Sequence, residues 1–478
     1  MCLINFSRVY WVAKMLMYCP SSGLYSCPLA MTDGAAKFFQ VHGSKFKAIT
    51  DRAFPSLVTR DGNKFWTSGQ WMTERRGGSD VANGTETVAV QEDDGTFKLY
   101  GYKWFSSASD SDMTLTLARI LDKDGNCTKG TKGLSLFYVE TRDKDGKLNG
   151  MELQKLKCKL GTRQLPTAEI LLDGSVAHMV SDEGLGIATI IPMLTISRIH
   201  NAVSSVGAMR RIVHLARDYS QRRQAFGKMI SCHPLHMQTL CRMEVETRGN
   251  MMLVLHLSYL LGLEECGLAT EHDLQLLRVI TPIAKLYTAK QAIAITSEGL
   301  ECFGGQGYIE DTGLPSMLRD AQVLSIWEGT TNILALDVIR SMVKSSGGSL
   351  TALLTDIKIR INPFAEASHP DLRWCYEEIS LACSSISSFV DSAGIDQELM
   401  TLAARDFAYS LARMFIGSLL LEHAAWNNAK EYDIILVKRW CQQCLCLVDQ
   451  RGASGEYTKE AMRNNTAIVM DGYNSSHL

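Results

Sequence analysis

One carboxylate, Glu328, stands between Trp327 and Gly329 after the largely apolar residues 323–326. A carboxylate that loses water in such a setting becomes a better proton acceptor near neutral pH, which is what a general base needs. Glu301 precedes it by 27 residues and leads into a glycine turn, Gly304-Gly305-Gln306-Gly307-Tyr308. That turn lacks the G-x-G-x-x-G spacing after a strand, so it is not a dinucleotide fingerprint. A second glycine string, residues 72–80 (MTERRGGSD), can bring backbone N–H groups close to carbonyl or phosphate oxygens, because glycine has no Cβ in the way. Lys103-Trp104-Phe105-Ser106-Ser107 sets an aromatic beside hydroxyls, suited to a flat heterocycle with a polar rim. Arg222-Arg223-Gln224-Ala225-Phe226-Gly227 offers guanidinium groups, whose planar fork pairs two phosphate oxygens at once. Taken singly, each string also fits a plainer role: a loop, a core tryptophan, a solvated basic helix end, a surface acid.

Taken together, the strings resemble the acyl-CoA dehydrogenase family over about residues 15–450, with a C-terminal block similar to its AidB-type branch. The resemblance implies FAD as cofactor. It places Thr73, Trp104, Ser106, Arg223, Phe226, Gly304, Gly305, Trp327 and Thr330 against FAD, and Ser79, Arg198 and Gly329 against an acyl-CoA substrate. Glu328 is then the base that takes an α-proton while the β-hydrogen leaves as hydride to flavin N5. In some branches the base stands before an arginine in the first long helix of the bundle; here that position is Ser197, before Arg198, and serine cannot serve. The 27-residue separation of Glu301 from Glu328 equals the family spacing. Arg223 and Phe226 are implied to reach a neighbouring subunit's FAD, which requires a homo-oligomer, a homotetramer built as a dimer of dimers. Electrons would pass to an electron-transfer flavoprotein or another acceptor. Trp71, Asn83 and Glu301 depart from the commonest residues of the family. An alternative of a different class is an FAD-containing, acyl-CoA-binding regulator with weak or no catalysis.

The elements that must position these residues follow from the wider pattern. A chain of 478 residues exceeds one compact core, and 46% apolar with 21% charged residues is ordinary for a globular protein. Residues 1–66 show no strong period and are expected to be a remnant of an N-terminal helical domain. That leaves room for only its last part, so a shortened form is expected. Residues 67–178 alternate strand-like runs (97–100, 134–139, 169–172) with the turns 93–95, 124–126 and 143–146, as in an antiparallel β domain. Ala202, Val206, Met209, Val213 and Ala216 then recur at helical steps and begin a bundle over 184–345. A further helical block at 346–450 and a loosely ordered tail at 451–478 complete an α+β fold.

The formal charge of -2 gives no reason to expect a polyanionic partner. Residues 351–478 carry 11 Lys and Arg against 16 Asp and Glu, so the nucleic-acid binding associated with AidB-type proteins is not expected. The 14 cysteines follow no regular framework, which suits a reducing compartment. Cys441, Cys444 and Cys446 lack the second pair that a metal centre needs, and no metal is expected. No apolar run reaches the ~18–20 residues of a membrane span. A mitochondrial or cytoplasmic location is expected, with a peroxisomal one suggested by Ser476-His477-Leu478, one residue from the Ser-Lys-Leu address.

Overall fold

Strand-forming residues between 68 and 179 pair into one seven-stranded sheet: β1 (Ser68–Trp71), β2 (Val88–Gln91), β3 (Phe97–Ser106), β4 (Met113–Ile120), β5 (Leu134–Glu140), β6 (Met151–Leu156) and β7 (Ala168–Met179). This is a computed structural model and describes residues 4–393 and 396–473, so Ser476-His477-Leu478 lies outside the described residues. The chain divides into two compact units, one from Met15 to Ser204, the other joining the stretch up to Lys14 to everything from Ser205 onward.

In the first unit the pairings β4–β2–β3–β7–β5–β4 close on themselves. Period-two alternation fills both faces. On β5, Phe137 and Val139 join Trp71, Phe97, Leu99 and Ile170 in one core, while Leu134, Leu136 and Tyr138 pack with Phe38 and Phe39 in another. Most pairs are antiparallel, as expected, but β1 and β2 both run parallel to β4, so the sheet is mixed. Turn signals report only antiparallel neighbours. A parallel pair needs a long connection, and here some forty residues separate β1 from β4, so no local signal marks it. Before the sheet come α1 (Ser7–Tyr18), which runs across the boundary between the two units, then α2 (Ser26–His42) and α3 (Lys47–Val58); α4 (Val81–Gly84) lies within the sheet's connections and α5 (Gly186–Thr189) after it. Little periodicity is visible in α2 because most of its surface is buried, including Thr32, Gly34 and Lys37.

The second unit is helical. Its elements are α6 (Ile191–Arg222, shared at its start with the first unit), the hairpin β8 (Gln224–Ala225) and β9 (Lys228–Met229), α7 (Pro234–Glu265), α8 (Glu271–Glu301), α9 (Leu314–Leu324), α10 (Thr331–Lys344), α11 (Gly348–Ile361), α12 (Pro370–Ala393), α13 (Gln397–Ala424), α14 (Glu431–Cys441), α15 (Leu447–Ala453) and α16 (Lys459–Val469). The stripe Ala202, Val206, Met209, Val213 and Ala216 is buried. A capping box between Thr270 and Asp273 starts α8. That helix packs on α7, α9, α10, α11 and α13, and α13 in turn packs on α7, α10, α11, α12, α14 and α15. The extra C-terminal helices therefore share a core with the bundle. The tail, expected to be loose, carries α16, none of whose side chains is buried. Among the described residues no helix is long and apolar enough to cross a membrane.

Close packing of α8 gives a test. A Cβ on Gly299 would run into Ile212 of α6 and lie 3.3 Å from Met243 of α7. Gly299→Ala should destabilise the helical unit by about 1–3 kcal/mol, because a well-packed core does not yield to an added methyl. A thermal midpoint equal to or above that of the parent would contradict this packing.

Candidate active site

In the sheet unit, Thr73 and Trp104 are brought together by backbone. Trp104 N–H donates to the Thr73 carbonyl at 2.9 Å, and Glu74 bridges Lys103 in isolated β pairing. Beneath them lies an ion pair that sequence reading passed over. Lys103 is fully buried and Glu74 is 3% exposed, with Nζ to Oε1 at 2.6 Å. The ammonium also donates to the Leu117 carbonyl at 3.0 Å. The carboxylate accepts from Glu86 N–H, Thr87 N–H and the Thr87 hydroxyl. Burial alone would push the Glu74 carboxyl up, but the Lys103 charge and these hydrogen bonds hold it below the usual range. The pair fixes both the loop that carries Thr73 and the strand that carries Trp104.

The two glycines of that loop do different work. A Cβ on Gly77 would sit 2.5 Å from the Gly84 Cα, so Gly77 is required for packing rather than left open to a ligand. Gly78 faces open space apart from Thr73 Cγ2 at 3.7 Å, and Ser79 is exposed. Lys157 Nζ lies 3.1 Å from the Trp104 ring centroid, with Arg75 also over that ring. Ser106 is fully buried, and its hydroxyl has no hydrogen-bond partner among the described residues. An orphaned buried hydroxyl costs about 1–3 kcal/mol, and one beside a candidate cofactor site fits a partner supplied from outside the chain. On α6, Ser197 is buried and donates to the Leu194 carbonyl, while Arg198 is half-buried.

In the helical unit, α9 ends in a turn that presents Glu328. Ile326 and Trp327 N–H groups both donate to the Val323 carbonyl. Glu328 then takes φ +57° and Gly329 φ +102°, two left-handed residues in succession. For a glutamate this conformation costs about 1–2 kcal/mol. Glu328 is half-buried, and Trp327 Nε1 is buried without a partner among the described residues. Thr330 caps α10 by position, but its side chain makes no capping bond. The Gly329 carbonyl accepts from Lys285 Nζ at 2.6 Å.

The glycine turn after α8 also divides its labour. A Cβ on Gly307 would strike the Leu300 carbonyl, whereas Gly304 (φ +59°) and Gly305 meet nothing within 4 Å. Arg223 is exposed, and Phe226 is 96% exposed at φ +52° at the tip of the β8–β9 hairpin, followed by Gly227 at φ +81°. A cavity of about 680 Å³ lies along α10 and α13, lined among others by Asn332, Leu336, Arg405, Tyr409 and Arg413. Among the described residues no group of three metal-ligating side chains occurs. Cys441 and Cys446 are buried free thiols, and Cys441 lies beside the free thiol of Cys375.

Residues 69–175 match the acyl-CoA dehydrogenase middle domain, 184–343 the acyl-CoA dehydrogenase C-terminal domain, and 349–470 the acyl-CoA dehydrogenase 11 C-terminal domain-like family. The chain is 47% identical over 480 residues to acyl-CoA dehydrogenase family member 11 of Caenorhabditis elegans, covering 98% of this chain and 76% of that relative. The chain belongs to the acyl-CoA dehydrogenase family. The crystal structure of C. elegans ACDH-11 in complex with C11-CoA superposes with a TM-score of 0.95 at 45% identity, covering 99% of this chain and 80% of that one. The putative acyl-CoA dehydrogenase AidB of Escherichia coli is 32% identical over 70% of this chain and 60% of its own length. Similarity to AidB agrees with the AidB-type resemblance of the chain, and the C-terminal block itself matches the acyl-CoA dehydrogenase 11 model.

Within this acyl-CoA dehydrogenase, Glu74, Lys103 and Lys285 were missed as site residues because charges read along a chain look solvated. One signal was present for Lys285: it is the only cation within residues 279–289, which are otherwise apolar or hydroxylated and all buried. The Glu74–Lys103 pair yields a test. Lys103→Met leaves a buried carboxylate unpaired and should cost about 3–5 kcal/mol, with Glu74→Gln/Lys103→Met losing less than the sum of the single changes. The depressed Glu74 carboxyl adds stability that is present above its unfolded value of about 4.3 and is lost as pH falls through its folded value. Urea melts from pH 7 to pH 3 should show parent stability declining over that window and the double variant declining less.

Proposed function

We propose that the chain is an FAD-dependent acyl-CoA dehydrogenase acting on a fatty acyl thioester, with Glu328 as the base. The observation that carries this reading is the backbone of Glu328. A non-glycine residue held left-handed beside Gly329 at the end of an apolar turn is strain of the kind that collects at active sites. Glu328 takes the α-proton onto its carboxylate. Its own N–H, directed by the same turn, is a donor for the thioester carbonyl as negative charge develops there. When bound, FAD supplies the acceptor that takes the β-hydrogen with its electron pair.

The residues present suit that cofactor. Ser106 Oγ and Trp327 Nε1 are buried polar atoms without partners among the described residues, and Gly304 with Gly305 forms an open backbone turn suited to a pyrophosphate. Thr73 and Trp104 are the sheet unit's own candidates for contact with the cofactor. Thr330, at the start of α10, belongs near the adenine end of the cofactor. Arg223 and the exposed, strained Phe226 support contact with the cofactor of a second copy in a dimer of dimers. Ser79, Arg198 and Gly329 belong to the acyl-CoA side. The C11-CoA bound by the C. elegans relative makes C11-CoA the first probe. A flavoprotein acceptor would collect the electrons.

Anaerobic titration of the flavin-loaded protein with C11-CoA tests this. Flavin absorbance should bleach, and Glu328→Gln should abolish bleaching by at least about 10³-fold while retaining flavin. Binding of flavin and C11-CoA with no bleaching in the parent would instead make the protein a regulator. Undiminished bleaching in Glu328→Gln would remove Glu328 as base.

A further inference from the structure

Lys285 lies in the middle of α8, fully buried, within residues 279–289, all of which are buried. Moving an ammonium out of water costs several kcal/mol unless acceptors replace the lost hydration. Lys285 directs Nζ to the Gly329 carbonyl at 2.6 Å, the short geometry of a charge-assisted bond. One carbonyl it meets belongs to the residue after Glu328.

That contact has a mechanical consequence. Trp327 N–H is tied back to Val323 and Leu334 N–H to Thr330, so α9 and α10 grip the chain on either side. Between these grips lie the two left-handed residues, Glu328 at φ +57° and Gly329 at φ +102°. Left-handed glutamate is intrinsically disfavoured and relaxes unless its surroundings fix it. The Gly329 carbonyl belongs to the peptide that closes this pair. Gripping it fixes the rotation of the Gly329–Thr330 peptide and, through the backbone, the directions of the Glu328 carboxylate and N–H. On the other side of the turn, a Cβ added to Gly329 would lie 3.1 Å from Leu334 Cδ2, so that residue has little room to shift.

We infer that Lys285 is a positioning residue for the base, with a buried ammonium on α8 locking the Gly329 carbonyl and aiming Glu328. This rests on the reading of Glu328 as base. A lysine that served only the core would influence folding and flavin content. A lysine that aims the base influences the rate at saturation, because displacing a reacting group by about 1 Å can cost on the order of 10²-fold.

The test uses the full chain loaded with flavin, mixed anaerobically with C11-CoA. Lys285→Met keeps length and apolar bulk but removes the donor. At saturating C11-CoA its bleaching rate should fall on the order of 10²-fold, while the half-saturating concentration changes by less than about threefold and flavin content is retained. Gly329→Ala strains the same peptide without removing a buried charge and should lower the rate at saturating C11-CoA; because Gly329 also belongs to the acyl-CoA side, its half-saturating concentration is free to change. The two changes combined should lose less than the product of their separate losses. Full-rate bleaching in Lys285→Met overturns the proposal, as does a rate loss that only tracks lost flavin or lost affinity. Should Lys285→Met fail to accumulate folded, Gly329→Ala decides by the saturating rate alone, and full-rate bleaching there also overturns it. Glu328→Gln separates the two readings. If it still bleaches, the base assignment fails and this inference with it. If it is inert while Lys285→Met runs at full rate, only the lysine's role fails.

Discussion

The helical unit depends on one backbone constraint: a glutamate held left-handed between two helices. Glu328 at φ +57° is unfavourable in an isolated chain, and no local sequence preference supplies the compensation. It comes from tertiary structure. The end of α9 closes on Val323, α10 starts at Thr331, and α8 supplies a buried ammonium to the carbonyl that follows. The same helix α8 ends in the turn whose Gly304 and Gly305 face open space. One 31-residue helix thus carries both the grip on the Glu328 turn and the glycine turn. That helix packs on α7, α9, α10, α11 and α13, so it is held from several sides.

The sheet unit solves a similar problem by a similar device. The loop carrying Thr73 has few apolar side chains with which to anchor itself. Its anchor is Glu74, satisfied by two backbone N–H groups, a hydroxyl and Lys103. A buried ion pair adds little net stability when compared with apolar packing, but it tolerates few alternative arrangements. For a loop that must hold a flexible glycine pair in one shape, that specificity matters more. The approach of Gly77 to Gly84 closes the same loop from its other side.

Much of this was legible in the sequence, and what was not has a common cause. The strings at 72–80, 103–107, 222–227 and 301–332 announced the family because they are contiguous. The strands at 97–100, 134–139 and 169–172 and the stripe from Ala202 to Ala216 appear where their periods predict them. The missed features all depend on residues far apart in the chain. Lys103 meets Glu74 across 29 positions, and Lys285 meets Gly329 across 44. The parallel pairing of β1 with β4 has no turn to betray it. Likewise, sequence could not say that Gly77 and Gly307 serve packing while Gly78, Gly304 and Gly305 stay open, because that depends on Gly84 and the Leu300 carbonyl.

The β8–β9 hairpin extends the same reasoning beyond the single chain. Two consecutive left-handed residues at a two-residue hairpin tip suit Asn-Gly, and phenylalanine is a poor choice for the first. Phe226 accepts that strain and remains 96% exposed, its ring set edge-on to His233. Neither cost is repaid within this chain, since an exposed aromatic buries little surface and a strained turn gains nothing from it. Nor does a basic residue so close to it, Arg223, remove the apolar exposure. The strain becomes intelligible when the ring and the guanidinium are both completed by something outside the chain. A second copy of the same chain, presenting its own candidate cofactor site, would satisfy both at once.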